Sequence, residues 1–155
     1  MIKGREVLEQ PLLDVSMFTD ECKCINIGTL SQSMVDFIVE KRNDLNGILK
    51  KSDILLWNNR IEYTSKHKYN FRTSDDYNYF LQNIPNIISN PDYVGLPPHD
   101  LSIQFIKKYE LNIIVAVRIS TSGKLSYRTM YPITDSQLKD YQNKNRAWKY
   151  VDKTE

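Results

Sequence analysis

Residues 101–131, LSIQFIKKYELNIIVAVRISTSGKLSYRTMY, decide the fold. Leu101, Ile103 and Phe105 alternate with Ser102 and Gln104, the period-2 pattern of a half-buried strand. ELNIIVAVRIS is rich in β-branched residues, Ser122-Gly123 is a turn, and KLSYRTMY alternates again. Strands in this order form an antiparallel meander, and DYVGL just upstream supplies a fourth strand. Downstream, Thr134-Asp135-Ser136-Gln137 is a capping box that starts a helix through Leu138 and Tyr141.

Working back from the meander, the period is helical. Ser74-Asp75-Asp76 opens a helix whose stripe is Tyr77, Phe80, Leu81, Ile84 and Ile88, with Pro85 kinking or restarting it. Asn59 as N-cap and Glu62 at the third position begin another, on which Arg60, Tyr63 and His67 share one face. Thr29 or Ser31 caps a helix to about residue 42, with Met34, Val35 and Ile38 on one side. CINIGTL and DILLW read as short extended pieces. The expected class is α+β, with N-terminal helices packed on a four-stranded antiparallel sheet and a C-terminal helix. Residues 1–24 form an arm and residues 25–155 a single domain.

The chain has 155 residues, 26% charged and 41% hydrophobic, as in ordinary globular proteins. Its longest apolar run, LNIIVAV, is far short of a membrane span. The N-terminus lacks a signal-peptide pattern, and Cys22 and Cys24 make a poor zinc site and an awkward disulfide. A reduced, cytoplasmic protein without membrane association is expected, with no metal and no cofactor. Net charge is −2 over residues 1–58, −1 over 59–100 and +5 over 101–155. That bias suits phosphate contact, with Arg118 and Arg128 as candidates, and equally suits a solvated basic surface.

No Walker loop, dinucleotide fingerprint, GxSxG elbow or HExxH occurs. Asp75-Asp76 reads as a helix N-terminus and not as a two-metal site. A nuclease without metal ligands acts on RNA, because the 2′-hydroxyl supplies an internal nucleophile. Proton transfer then falls to a histidine. Taken singly, His67, between Lys66 and Lys68, reads as a surface histidine, and His99 in Pro-Pro-His-Asp less still as a catalyst. Lys107 closes the strand that carries Leu101, Ile103 and Phe105. Leu125, Tyr127, Thr129 and Tyr131 are expected on one face of the last strand, with Lys124, Ser126 and Arg128 on the other.

The ordered series IGTLS, RIEYTSKH, IPNIISNPDYVG, LSIQFIKK, NIIVAV and SYRTMYP resembles the phage-associated barnase/EndoU/colicin/RelE-like nuclease family over residues 25–145. The resemblance implies a helical part on a four-stranded antiparallel sheet and RNase activity of phage or toxin type. By position it implies His67 as the second histidine of a paired-histidine helix, Lys107 as the strand-closing lysine, and Thr129 and Tyr131 as the T-x-Y strand. Tyr63 stands where the family usually carries its first histidine.

The resulting expectation is a metal-independent endoribonuclease with His67, Lys107, Thr129 and Tyr131 as catalytic group. Tyr63, Arg60, Lys68, Arg118 and Arg128 would bind RNA. The partners implied are an RNA, tRNA among the candidates, and an inhibitor or antitoxin protein. The rival is a catalytically inactive scaffold that binds a protein or RNA. Geometry separates the two, since catalysis requires the partners to converge on His67.

Overall fold

The computed structural model describes residues 10–151. Its strands are β1 (Cys24–Thr29), β2 (Asp53–Trp57), β3 (Tyr93–Gly95), β4 (Ser102–Lys108), β5 (Asn112–Ile119), β6 (Leu125–Ile133) and β7 (Ala147–Lys149). All seven join one sheet in the order β1-β2-β6-β5-β4-β3-β7. The α+β class stands, but the expected four-stranded sheet is corrected to seven. The two extended pieces near the N-terminus pair with each other as β1 and β2. β2 then joins β6 in parallel, with Ile54 opposite Leu125 and Leu55 opposite Ser126. β7, unforeseen, is three residues long and pairs with β3 after a turn at Asn145, whose φ is 56°.

The β5–β6 turn requires its glycine. Gly123 has φ 89°, and a Cβ there would stand 2.5 Å from the Ile48 carbonyl oxygen.

The helices follow their stripes and caps. α1 (Gln32–Lys41) is capped by the Ser31 hydroxyl, which accepts from Met34 N–H, and it buries Met34, Val35 and Ile38. α2 is Asn59–Thr64, α3 is Ser74–Gln82 with Thr73 as N-cap, and α4 is Ile84–Ser89. Pro85 restarts the helix in α4's first turn, where its missing N–H costs nothing. The capping box at Thr134 and Gln137 is formed and opens α5 (Asp135–Asn143). From the arm, residues 1–9 lie outside the described part, while Leu13 is buried and its N–H donates to Gln82 O at 2.7 Å.

The sheet has two unequal faces. One carries the main core, where Ile54, Leu56, Ile103, Phe105, Ile113, Val115, Val117 and Tyr127 meet residues of α1, α3 and α4. The other is covered only at one end, where Leu138 of α5 meets Ile106, Ile114, Ala116 and Ile133. α2 is tied to the main-core face by a buried bond of 2.6 Å between the hydroxyls of Thr64 and Tyr127.

Two stability predictions follow from these burials. Tyr127→Phe strands the Thr64 hydroxyl and should cost about 1–3 kcal/mol in urea unfolding. Thr64→Val combined with Tyr127→Phe should recover much of that loss, so strictly additive losses would show that the bond carries no coupling. Burial, with smaller contributions from Tyr79 and Asp92, pushes the Tyr109 phenol up to about 12. A phenol raised in the folded state gives stability that is whole below its unfolded value of about 10 and is lost as pH rises through the folded value. The urea midpoint should therefore fall between about pH 10 and 12, and less steeply in Tyr109→Phe.

Candidate active site

One extra residue in β6 builds the site. Ala116 lies opposite Thr129 and Val117 opposite Tyr127, so Arg128 has no partner in β5 and bulges. The bulge changes which way the strand faces. Leu125 and Tyr127 point into the main core, while Thr129 shares Ala116's side and Tyr131 and Ile133 pack with the smaller cluster. The expectation that Tyr127, Thr129 and Tyr131 share a face is thereby corrected, because strict alternation fails at a bulge.

Beyond the α5 cluster this face turns polar, with Ser102 and Gln104 still buried. Ser102 and Gln104 of β4 stand opposite Arg118 and Ala116 of β5, and Arg118 stands opposite Ser126 of β6. With Ile54 and Leu56 in the main core, alternation puts Trp57 on this side as well. Here an open cleft of about 930 Å³ is lined by Trp57, Arg60, Tyr63, His99, Asp100, Arg118, Lys124 and Arg128, among others. Four cations face one carboxylate among the described lining residues. That carboxylate, Asp100, accepts from Arg128 Nη1 at 2.9 Å and from Ser102 Oγ at 3.2 Å. Arg60 donates from Nε and Nη2 to the Arg128 carbonyl, at 2.9 and 2.6 Å. Its guanidinium also lies 4.0 Å from the Tyr63 ring centroid.

His67 reaches the same face by another route. The expected α-helical face of Arg60, Tyr63 and His67 is corrected: α2 stops at Thr64 and continues as a 3-10 turn over Ser65–Asn70. Its N-cap is Asn58 and not Asn59, without a side-chain cap bond. The tighter winding separates His67 from the other two. Arg60 and Tyr63 line the cleft, whereas the His67 ring packs at 5.6 Å between centroids on Tyr131, beyond the bulge. Asn70 Nδ2 lies 3.2 Å from His67 Nδ1. An amide can present either its NH2 or, turned over, its carbonyl, so Asn70 can hold the ring at Nδ1 in either tautomer.

Around Tyr131 the polar groups are held in place. Gln104 Nε2 donates to the Tyr131 hydroxyl at 3.1 Å. A Cβ on Gly95 would stand 2.4 Å from Gln104 Oε1, so glycine is what leaves room for that side chain. Burial raises the Tyr131 pKa and Tyr141 adds to it, against smaller lowering by Gln104, Arg128 and Arg146. The phenol is therefore neutral at physiological pH and keeps its O–H. Two residues away on the same face, Thr129 Oγ1 is buried and has no hydrogen-bond partner among the described residues.

Lys107 is not brought to this group. It lies on the main-core side of β4, and its Nζ donates to the Asn90 carbonyl at 2.9 Å, just past the end of α4. Lys68 sits on the 3-10 turn, outside the cleft lining. Gln104, Asp100 and Trp57 were missed by sequence reasoning. Gln104 had a signal, as a long polar side chain at an alternate position of an apolar strand. Among the described residues no three His, Cys, Asp or Glu side chains gather as metal ligands, and Cys22 and Cys24 are free thiols.

None of the curated proteins and none of the solved structures gives a significant match. Residues 33–140, more than two thirds of the chain, match the phage-Barnase-EndoU-ColicinE5/D-RelE like nuclease3 family. The matched span runs from α1 into α5 and contains the bulge, the cleft and His67. The chain belongs to that nuclease family.

Proposed function

We propose that the protein is a metal-independent endoribonuclease of phage or toxin type. The observation that carries this reading is the His67 ring packed on Tyr131, with Thr129 two residues along β6, beside a cationic cleft. His67 Nε2 takes the proton of an RNA 2′-hydroxyl as that oxygen attacks phosphorus. The bond to the 5′-oxygen breaks, that oxygen takes a proton from water while His67 returns its own to solvent, and a 2′,3′-cyclic phosphate and a 5′-hydroxyl result. Tyr131 donates to a non-bridging oxygen, and Arg128 supplies the positive charge that the extra negative charge requires. Arg60, Arg118 and Lys124 carry the rest of the backbone along the cleft. DNA, without the 2′-hydroxyl, is bound and not cut.

This assignment gives Arg128 the electrostatic role that the resemblance implies for Lys107, because Lys107 is committed to Asn90 on the other side of the sheet. One observation favours the rival, a binding scaffold without activity. Tyr63, at the position of the family's first histidine, is occupied by Arg60 and by Lys66, whose Nζ is 4.7 Å from the ring centroid. Such a scaffold would retain RNA or protein binding with no cleavage.

Purified protein on total RNA, with excess EDTA, provides the test. Cleavage should persist and leave 2′,3′-cyclic phosphate ends; 5′-phosphate ends, or full loss on chelation with recovery on magnesium, would falsify the mechanism. His67→Ala should lower the rate about 10² to 10⁴-fold with RNA binding nearly intact. Lys107→Ala should stay close to the wild-type rate, and a loss as large as that of His67→Ala would return Lys107 to the site. Replacing Arg118, Lys124 or Arg128 by Ala should reduce the salt slope of single-strand binding by roughly 0.7 each. An unchanged slope in all three would mean that the cleft does not hold phosphates.

A further inference from the structure

We infer that Trp57 is a stacking platform for an unpaired base, so that the cleft takes single-stranded RNA and rejects duplex. This rests on the reading of the cleft as the RNA site and deepens it. Trp57 ends β2 with 46% of its surface exposed, which is costly for the largest aromatic side chain unless something covers it. Its ring has no aromatic or cationic partner among the described residues. Tyr63, the other exposed aromatic of the cleft, is already engaged by Arg60 and Lys66. Trp57 is therefore the π-face left open in a cleft with four cations.

Its position relative to those cations is set by the sheet. Leu55 stands opposite Ser126 where the parallel β2–β6 pairing ends, and Trp57 and Arg128, each two residues beyond, line the same cleft. The cleft therefore offers an aromatic face and a guanidinium together. A nucleotide has that form, with a flat base on one side of the sugar and an anionic phosphate on the other. Only a base outside a duplex can lay its face on the indole. Each base has such a face, so the platform selects single strands with little regard to sequence.

Binding can be read without cleavage. The chain has two tryptophans, so Trp148→Phe leaves Trp57 as the only indole. In that background a thymidine oligodeoxynucleotide, which lacks the 2′-hydroxyl, should quench Trp57 fluorescence. Inorganic polyphosphate of equal charge should bind without quenching. Trp57→Ala should weaken binding of the oligonucleotide by roughly 5- to 100-fold, leave polyphosphate binding unchanged, and be largely rescued by Trp57→Phe. A duplex of the same sequence should bind no better to the parent than to Trp57→Ala. Absence of quenching, or full oligonucleotide affinity in Trp57→Ala, overturns the inference. Quenching without any RNA cleavage upholds the platform and rejects the nuclease mechanism, so the two failures are distinct.

Discussion

The bond from Arg60 to the Arg128 carbonyl is the interaction on which the site depends. A bulged residue loses its place in the ladder, and its backbone groups need other partners. Arg128 finds one in the Arg60 guanidinium, which grips its carbonyl with two donors. Hydrogen bonds from charged groups are worth about 1.5–3 kcal/mol, enough to hold one strand distortion in place. The same guanidinium lies on Tyr63, so α2, the bulge and the cleft wall are joined through one side chain. Without the bulge, Thr129 and Tyr131 would follow Tyr127 into the main core. With it, they turn to the opposite face, where Tyr131 meets His67.

Unequal covering of the sheet turns that distortion into a site. α1, α3 and α4 close the main-core face over a continuous apolar layer, which fixes the strand register. α5 closes only one end of the opposite face, and the polar residues of β4, β5 and β6 occupy the rest. The β1–β2 pair widens the sheet beyond β6 and carries Trp57 to the cleft rim. A rigid core behind and an open face in front is the arrangement in which side chains can be held ready for a ligand without being buried by their own fold.

What was legible in the sequence is what local chemistry determines. The capping box at Thr134 and Gln137 and the stripe Met34, Val35 and Ile38 are formed as read, because cap bonds and apolar periodicity act within a few residues. The meander was legible for the same reason. The number of strands was not, since whether CINIGTL and DILLW join the sheet depends on a parallel pairing some 70 residues away in sequence. The bulge left one mark that was passed over, because Leu125 and Tyr127 put the apolar positions on odd numbers and Met130 moves them to an even one. The 3-10 turn that carries His67 away from Arg60 and Tyr63 has no breaker residue at its start.

Charge supplies the last link between fold and chemistry. Asp100 is the one carboxylate among the described residues lining the cleft, and it is already held by Arg128 and Ser102. It is an internal counter-ion that holds the Arg128 guanidinium in place. Such an exposed pair is weak, typically below about 1 kcal/mol, so a phosphate approaching Arg118, Lys124 and Arg60 together can take its place. The guanidinium is thus oriented in advance, which is what the proposed reaction would require of an electrostatic group acting on its transition state.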